Sequence, residues 1–176
     1  MNKLLCLISL LLLSACAGRP VIIERIPFDP AEYAARPTSG TAVVTGQAFI
    51  KASDGKIYYP KNEQARLNPV TTYSKQWYEV NYLARKNIAD ADPRYLNHVY
   101  KADFDPQGQF KFENIPAGNY YISAPIFWME EIKLADGSIL MKRQGRFICK
   151  EIHVDDNQTL VTNITIEQPV NMASSN

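Results

Sequence analysis

The stretch "DFDPQGQFKFENIPAGNYYI", Asp103 to Ile122, admits two readings, and the choice between them decides the fold. Asp103, Asp105, Gln107 and Gly108 imitate the opening of a calcium-binding loop, yet the same residues suit a β-hairpin turn. Calcium takes about six to eight oxygen ligands, and a helix-loop-helix calcium loop needs an acid at its twelfth position as well as near its start. Counted from Asp103, the fifth position is Gln107 and the twelfth is Asn114, so that ligand set is incomplete. The hairpin reading accounts for every residue. Gly108 supplies a turn conformation that a side chain would oppose, and Phe110 and Phe112 then alternate toward one face. Pro116-Ala117-Gly118 makes a second reversal, after which Tyr120 returns to that face. The stretch therefore predicts two strands of a β-domain, with no metal.

Working outward, the chain keeps the two-residue period of strands. "TAVVTGQAFI" (Thr41 to Ile50) alternates and ends before the turn signal "ASDGK". "ARLNPVTTY" (Ala65 to Tyr73) is a second short strand, with Pro69 marking an edge or bulge. "HVYKADF" places Tyr100, Ala102 and Phe104 together, and "NYYISAPIFWMEEIKL" gives Tyr120, Ile122, Ala124, Ile126 and Trp128 one face. Asp136-Gly137 suits a tight hairpin, and "ILMKR", "RFICKEIHV" and "LVTNITI" complete the series. Seven or eight short strands with turn signals between them predict a mainly β protein built as a sandwich.

One interruption is helical, at about 74–92. "SKQWYEVNYLARKNIADAD" has Ser74 as its N-cap, and Trp77, Val80, Ala84 and Ile88 fall on one helical stripe. Tyr78, Tyr82 and Arg85 lie on another face and form the candidate binding surface, since aromatic rings stack on sugars and anchor protein partners. Trp77 is expected to pack into the sandwich instead.

The first residues speak to location. After Lys3, "LLCLISLLLL" (Leu4 to Leu13) is a ten-residue apolar run, and ten helical residues rise only about 15 Å, roughly half a bilayer core. It reads as the apolar region of an export signal, 1–15. "LSAC", Leu13 to Cys16, resembles the bacterial lipobox, in which small residues before a Cys permit signal cleavage at that lipidated Cys. That resemblance implies acyl chains on Cys16, a membrane tether strong enough to hold, and a place on the periplasmic side of the outer membrane of a Gram-negative bacterium, since Ala17 follows where Asp would signal inner-membrane retention. From 16 to 40, prolines at 20, 27, 30 and 37 predict an extended tether, although the apolar patch "VIIERIPF" has the composition to pack on the domain or a partner. The domain is expected over 41–168, with a flexible tail over 169–176.

The combination "VVTGQAFI", "NPVTTYS" and "FDPQGQFKFENIPAGNYYISA" resembles the carboxypeptidase regulatory-like family, also called transthyretin-like or prealbumin-like. Val44, Gly46 and Ala48 match its opening strand, and Asp105, Gly108, Phe110, Phe112, Ile115, Pro116, Ala117, Gly118 and Tyr120 match its second motif. The resemblance spans about Thr41 to Ile166 and implies an Ig-like Greek-key sandwich of about seven strands without catalytic residues of its own. A urate-pathway hydrolase shares that fold, but its C-terminal Tyr-Arg-Gly-Ser motif is missing where this chain reads "EQPVNMASSN".

Charge and chemistry narrow the function classes. The chain has 19 basic and 18 acidic side chains, and loss of Lys3 with the signal leaves 18 of each, a balance that argues against nucleic acid as a partner. With Cys6 in the signal and Cys16 lipidated, Cys149 stands alone and is expected to be a buried small hydrophobe, not a reactive thiol. His98 and His153 are the only imidazoles and lack metal-ligand spacing. Glu130-Glu131 and Asp155-Asp156 are adjacent pairs, which a strand sends to opposite faces or a turn exposes, so no paired-carboxylate site forms. No catalytic residues and no cofactor are expected. Two functions remain: a non-enzymatic outer-membrane lipoprotein that docks an envelope protein, as in a secretion assembly, or a periplasmic module for glycan or peptidoglycan. A hydrolase is the third and weakest reading.

Overall fold

The computed structural model describes residues 20–167. Two sheets form the sandwich. In the first, β2 (Ala42–Lys51) is central: β3 (Ile57–Tyr58) and β7 (Gln109–Ile115) pair antiparallel along one side, while β10 (Thr159–Val161) and β11 (Ile164–Glu167) pair parallel along the other. The second sheet runs β6 (Tyr100–Asp103), β4 (Gln64–Pro69), β8 (Gly118–Lys133), β9 (Ile139–Val154) and is antiparallel throughout. The predicted β-sandwich with a helical insertion is the observed architecture.

The core lies between these sheets and comes from alternate positions of each strand. Val44, Ala48 and Ile50 from β2 meet Phe110, Phe112 and Ile115 from β7, and face Ala65 and Leu67 of β4 and Tyr120, Ile122, Ala124 and Ile126 of β8. These are the period-two sets expected from the sequence, and burying an aliphatic or aromatic side chain of this size contributes about 1.5–3 kcal/mol. The Tyr120 hydroxyl, buried with its ring, donates to the Pro116 carbonyl at 2.8 Å, so the reversal at 116–118 is tied to the strand that follows it.

The opening stretch folds as a turn. Asp105 Oδ1 accepts from the backbone N–H groups of Gln107 and Gln109, and Asp103 accepts from the Gln64 side chain. Gly108 sits at φ 74°, where a Cβ would collide with the Ala48 carbonyl. Among the described residues there is no cluster of three or more His, Cys, Asp or Glu able to hold a metal. Gly46 has a different reason: a Cβ there would strike the Thr162 carbonyl, which reaches β2 where β10 gives way to β11.

Three features differ from the expectations. The stretch before residue 40 is not an extended tether from Pro20 on: β1 (Ile22–Ile23) pairs with β5 (Asn87–Ile88), α1 (Pro30–Ala34) follows, and Phe28 and Tyr33 join Tyr73 in a second apolar cluster. The C-terminal end of the apolar patch packs on the domain, where Ile26 joins this cluster and Phe28 stacks on Tyr33 at 5.0 Å and meets Tyr73 edge-on at 5.4 Å, while Val21 and Ile22 stay exposed. The insertion begins earlier, with α2 (Thr72–Trp77) capped by Thr71, whose hydroxyl accepts from the Ser74 N–H while Ser74 Oγ accepts from the Thr71 N–H; Ser74 is the third helical residue, not the cap. Finally, "ILMKR" and "RFICKEIHV" are one strand, β9, and the tight hairpin expected at Asp136-Gly137 joins it to β8, with the Gly137 N–H donating to the Leu134 carbonyl at 3.0 Å and the Leu134 N–H to the Ser138 carbonyl at 2.9 Å. Asp136 Oδ1 accepts there from the Ser138 N–H and hydroxyl. Cys16 and the signal lie outside the described residues, as does the expected tail over 169–176.

Candidate functional site

β8 is buried on both faces over 120–126, and β4 is buried on its outer face at Asn68, which a sandwich of two layers does not explain. Ala65 and Leu67 turn inward, so Arg66 and Asn68 turn outward, and strand register sets Arg66 opposite Ser123 and Asn68 opposite Tyr121. The same row continues to Cys149, opposite Ser123, and to Phe147, opposite Pro125. On this outer face Asn68, Tyr121, Ser123 and Cys149 are buried because the insertion and the N-terminal segment form a third layer over them.

That layer is pinned at several points. Gln76 of α2 accepts from the Ile26 N–H through Oε1 and donates to the Glu24 carbonyl through Nε2. Glu32 of α1 accepts from the backbone and hydroxyl of Thr72, and the Tyr33 and Thr71 hydroxyls lie 2.8 Å apart. After Trp77 the helix widens to a π-turn, Tyr78–Leu83, followed by β5 and a 3-10 turn, Pro93–His98. The Tyr73 hydroxyl accepts from the Asp92 N–H at 2.6 Å and holds the approach to the 3-10 turn.

Between sheet and roof is a cleft of about 300 Å³, within the lower range of small-ligand sites. Its floor includes Arg66, Asn68, Tyr121, Ser123 and Phe147, and its roof includes Arg25, Trp77, Asn81, Tyr95 and the chain from Ile88 to Ala91. Trp77 meets Phe147 edge-on at 5.6 Å. Asn68 is 9% exposed, and its side-chain oxygen has no hydrogen-bond partner; Arg25 Nε is the other buried polar atom among the described residues left so. A buried unpaired acceptor costs about 1–3 kcal/mol, a penalty a ligand donor would relieve. The cleft thus offers aromatic walls and unspent polar groups together, the arrangement that takes a small polar ligand with apolar faces.

The three residues singled out as a binding surface stand beside this cleft, not in its lining. Tyr78 stacks on Tyr121 at 4.3 Å and on Tyr82 at 5.3 Å, and Arg85 lies over the Tyr82 ring at 5.3 Å. Tyr82 also takes the backbone N–H of Cys149 on its hydroxyl at 3.0 Å, so it closes the free edge of β9. Burial raises the phenol of Tyr121 to about 12, with Glu151 and Tyr78 adding to the effect. The expected inward packing of Trp77 is replaced by a half-buried place in the cleft roof. Asn68, Ser123 and Phe147 escaped notice because each lies in a stretch legible only as strand; the clue was that Asn68 and Ser123 occupy alternate positions that an uncovered sheet would leave to larger polar side chains. Cys149 is buried, and burial pushes its thiol up to about 12, which leaves it protonated at neutral pH.

Comparison with known proteins finds likenesses among solved structures. No protein-family model matches the chain, and no curated protein matches it. Among solved structures, a candidate carbohydrate binding protein from Pseudomonas aeruginosa is 29% identical with a TM-score of 0.67, over 81% of this chain and 99% of that one. The major pilin subunit of Bacillus cereus is 16% identical with a TM-score of 0.36, over 75% of this chain and 31% of that one. The first of these agrees with a β-sandwich over most of the described residues.

Proposed function

We propose that this chain is a non-enzymatic carbohydrate-binding module whose ligand site is the cleft between the outer face of β4–β8–β9 and the insertion. The observation that carries the reading is the buried side-chain oxygen of Asn68, unpaired and in one lining with Trp77, Tyr121 and Phe147. A sugar ring has an apolar C–H face, attracted to the negative face of an aromatic ring, and a rim of hydroxyls that both donate and accept. The cleft supplies the matching groups in a space of sugar-ring scale. The likeness to a candidate carbohydrate binding protein over nearly the whole of that chain supports the same reading. With the lipid on Cys16, the module would be held at the periplasmic face of the outer membrane, where glycans of the envelope are within reach.

The test is Asn68→Leu. Replacing an unpaired buried amide by an apolar group of similar size is neutral or stabilising, so the thermal midpoint should hold or rise. Calorimetric titration with a panel of oligosaccharides should meanwhile show affinity for the bound member falling about tenfold, the worth of one good polar contact. If no oligosaccharide in the panel binds the unaltered protein, the reading fails.

Protein docking has separate support in the outer part of the β8–β9 hairpin, where Met129, Ile139, Leu140 and Met141 are all about half exposed. Deleting 130–142 should remove an envelope partner from pull-downs if that reading holds, and should leave oligosaccharide titrations unchanged.

A further inference from the structure

The cleft carries more positive charge than its surroundings answer. Arg25 in the roof and Arg66 in the floor both line it, and the only other charged side chain in the lining is Asp90, which is exposed. Among the described residues neither guanidinium has a carboxylate within 4.0 Å. The nearby acid Asp92 is already committed, bonded by two of its oxygens to Arg94. Both arginines share this lining with Tyr95, whose phenol is raised by its own burial and lowered in part by the charge of Arg66 and then of Arg25. The Arg25 guanidinium carbon lies 4.0 Å from the centre of the Tyr73 ring, a contact that steadies a guanidinium without neutralising it. Arg25 Nε is buried with no acceptor, and the side-chain oxygen of Asn68, in the same lining, has no donor.

A guanidinium is a planar fork of donors matched to a carboxylate, and burying one unpaired is costly unless an anion completes it. From these observations we infer that the cleft selects acidic sugars, taking a glycan carboxylate between Arg25 and Arg66 while the ring rests on Trp77 and Phe147 and its hydroxyls reach Asn68 and Ser123. This inference rests on the carbohydrate-binding reading and adds the class of sugar. Asp90 stands in the same lining and would repel the carboxylate of a ligand turned the opposite way, which fixes one orientation.

The experiment uses paired oligosaccharides, each containing uronic or sialic acid, alongside its carboxyl-reduced neutral counterpart. Titrated into the unaltered protein, the acidic member should bind at least tenfold more tightly than its reduced partner, with the gap shrinking between low salt and 0.5 M salt. Arg66→Gln, at an exposed position, should erase most of the preference by lowering affinity for the acidic member at least tenfold more than for the neutral one. Arg25→Lys keeps the charge but loses the fork, and should keep only part of it. Equal affinity within each pair overturns the inference and leaves carbohydrate binding standing. Preference for the acidic member that survives both substitutions also overturns it, since the carboxylate would then be held elsewhere. Failure of every oligosaccharide to bind removes both readings.

Discussion

Asp105 spends its carboxylate on its own turn. One oxygen accepts from the N–H groups of Gln107 and Gln109, and the backbone carbonyl accepts from Gly108, so the side chain that most invited a calcium reading is oriented by its own turn. Millimolar calcium should accordingly leave the urea midpoint of the protein unmoved. Gly108→Ala should not: φ is 74°, and the added Cβ would press on the Ala48 carbonyl of β2. A loss of about 1–3 kcal/mol is expected by urea denaturation, the usual cost of holding a side chain in a poorly populated backbone region against a close neighbour. This residue-scale logic was legible in the sequence because a turn is written in consecutive residues. Asn68 was not legible, because its significance depends on a roof built from residues before 37 and after 71.

At the scale of elements, the same distinction separates the strands from the insertion. Strand faces follow from period two alone, and the alternating residues of β2, β7 and β8 fill the core as read. The insertion defeats a 3.6-residue period because Tyr78–Leu83 is a π-turn, in which Ala84 bonds back five residues to Glu79. Trp77 and Tyr82, five apart, come to stack at 6.2 Å, so the stripe of Trp77, Val80, Ala84 and Ile88 never forms one face. The β8–β9 hairpin is a third case. β4 pairs with β8 only up to Ser123, and beyond it the two long strands are paired with each other alone. Gly145 lies just past that departure at φ 99°, opposite Phe127, and a Cβ there would run into the Ile126 carbonyl. A bend of that kind needs glycine. Gly145→Ala should cost about 1–3 kcal/mol in the thermal or urea unfolding free energy, whereas Gly137→Ala in the exposed loop, with φ 83° but open space around it, should cost less than Gly145→Ala.

For the whole molecule, the cleft exists because two separate apolar clusters hold three layers together. The sandwich core is large and internal to the two sheets, while the roof depends on Phe28, Tyr33 and Tyr73. Cys149 reports on that dependence. Its thiol is on the covered face, 5% exposed, and stays protonated up to about 12 against an ordinary thiol near 8.5. Because the folded value is raised, its contribution to stability is complete below about pH 8.5 and is lost as pH climbs toward 12, where the unfolded chain gains by releasing the proton first. Cys149→Ala should therefore flatten the decline in stability between pH 8.5 and 11. Phe28→Ala should remove the clamp while sparing the sandwich, costing about 3–5 kcal/mol for a buried aromatic. Lifting the roof returns the thiol to water and toward its ordinary value, so Cys149 in the Phe28→Ala protein should be alkylated by iodoacetamide at pH 8.5 at least tenfold faster than in the unaltered chain. Far-ultraviolet circular dichroism should show the strands intact in the same sample. Equal alkylation rates in a folded Phe28→Ala protein would mean that the insertion holds its place through the Tyr82 and Tyr121 contacts alone, and that the N-terminal segment is dispensable for the cleft.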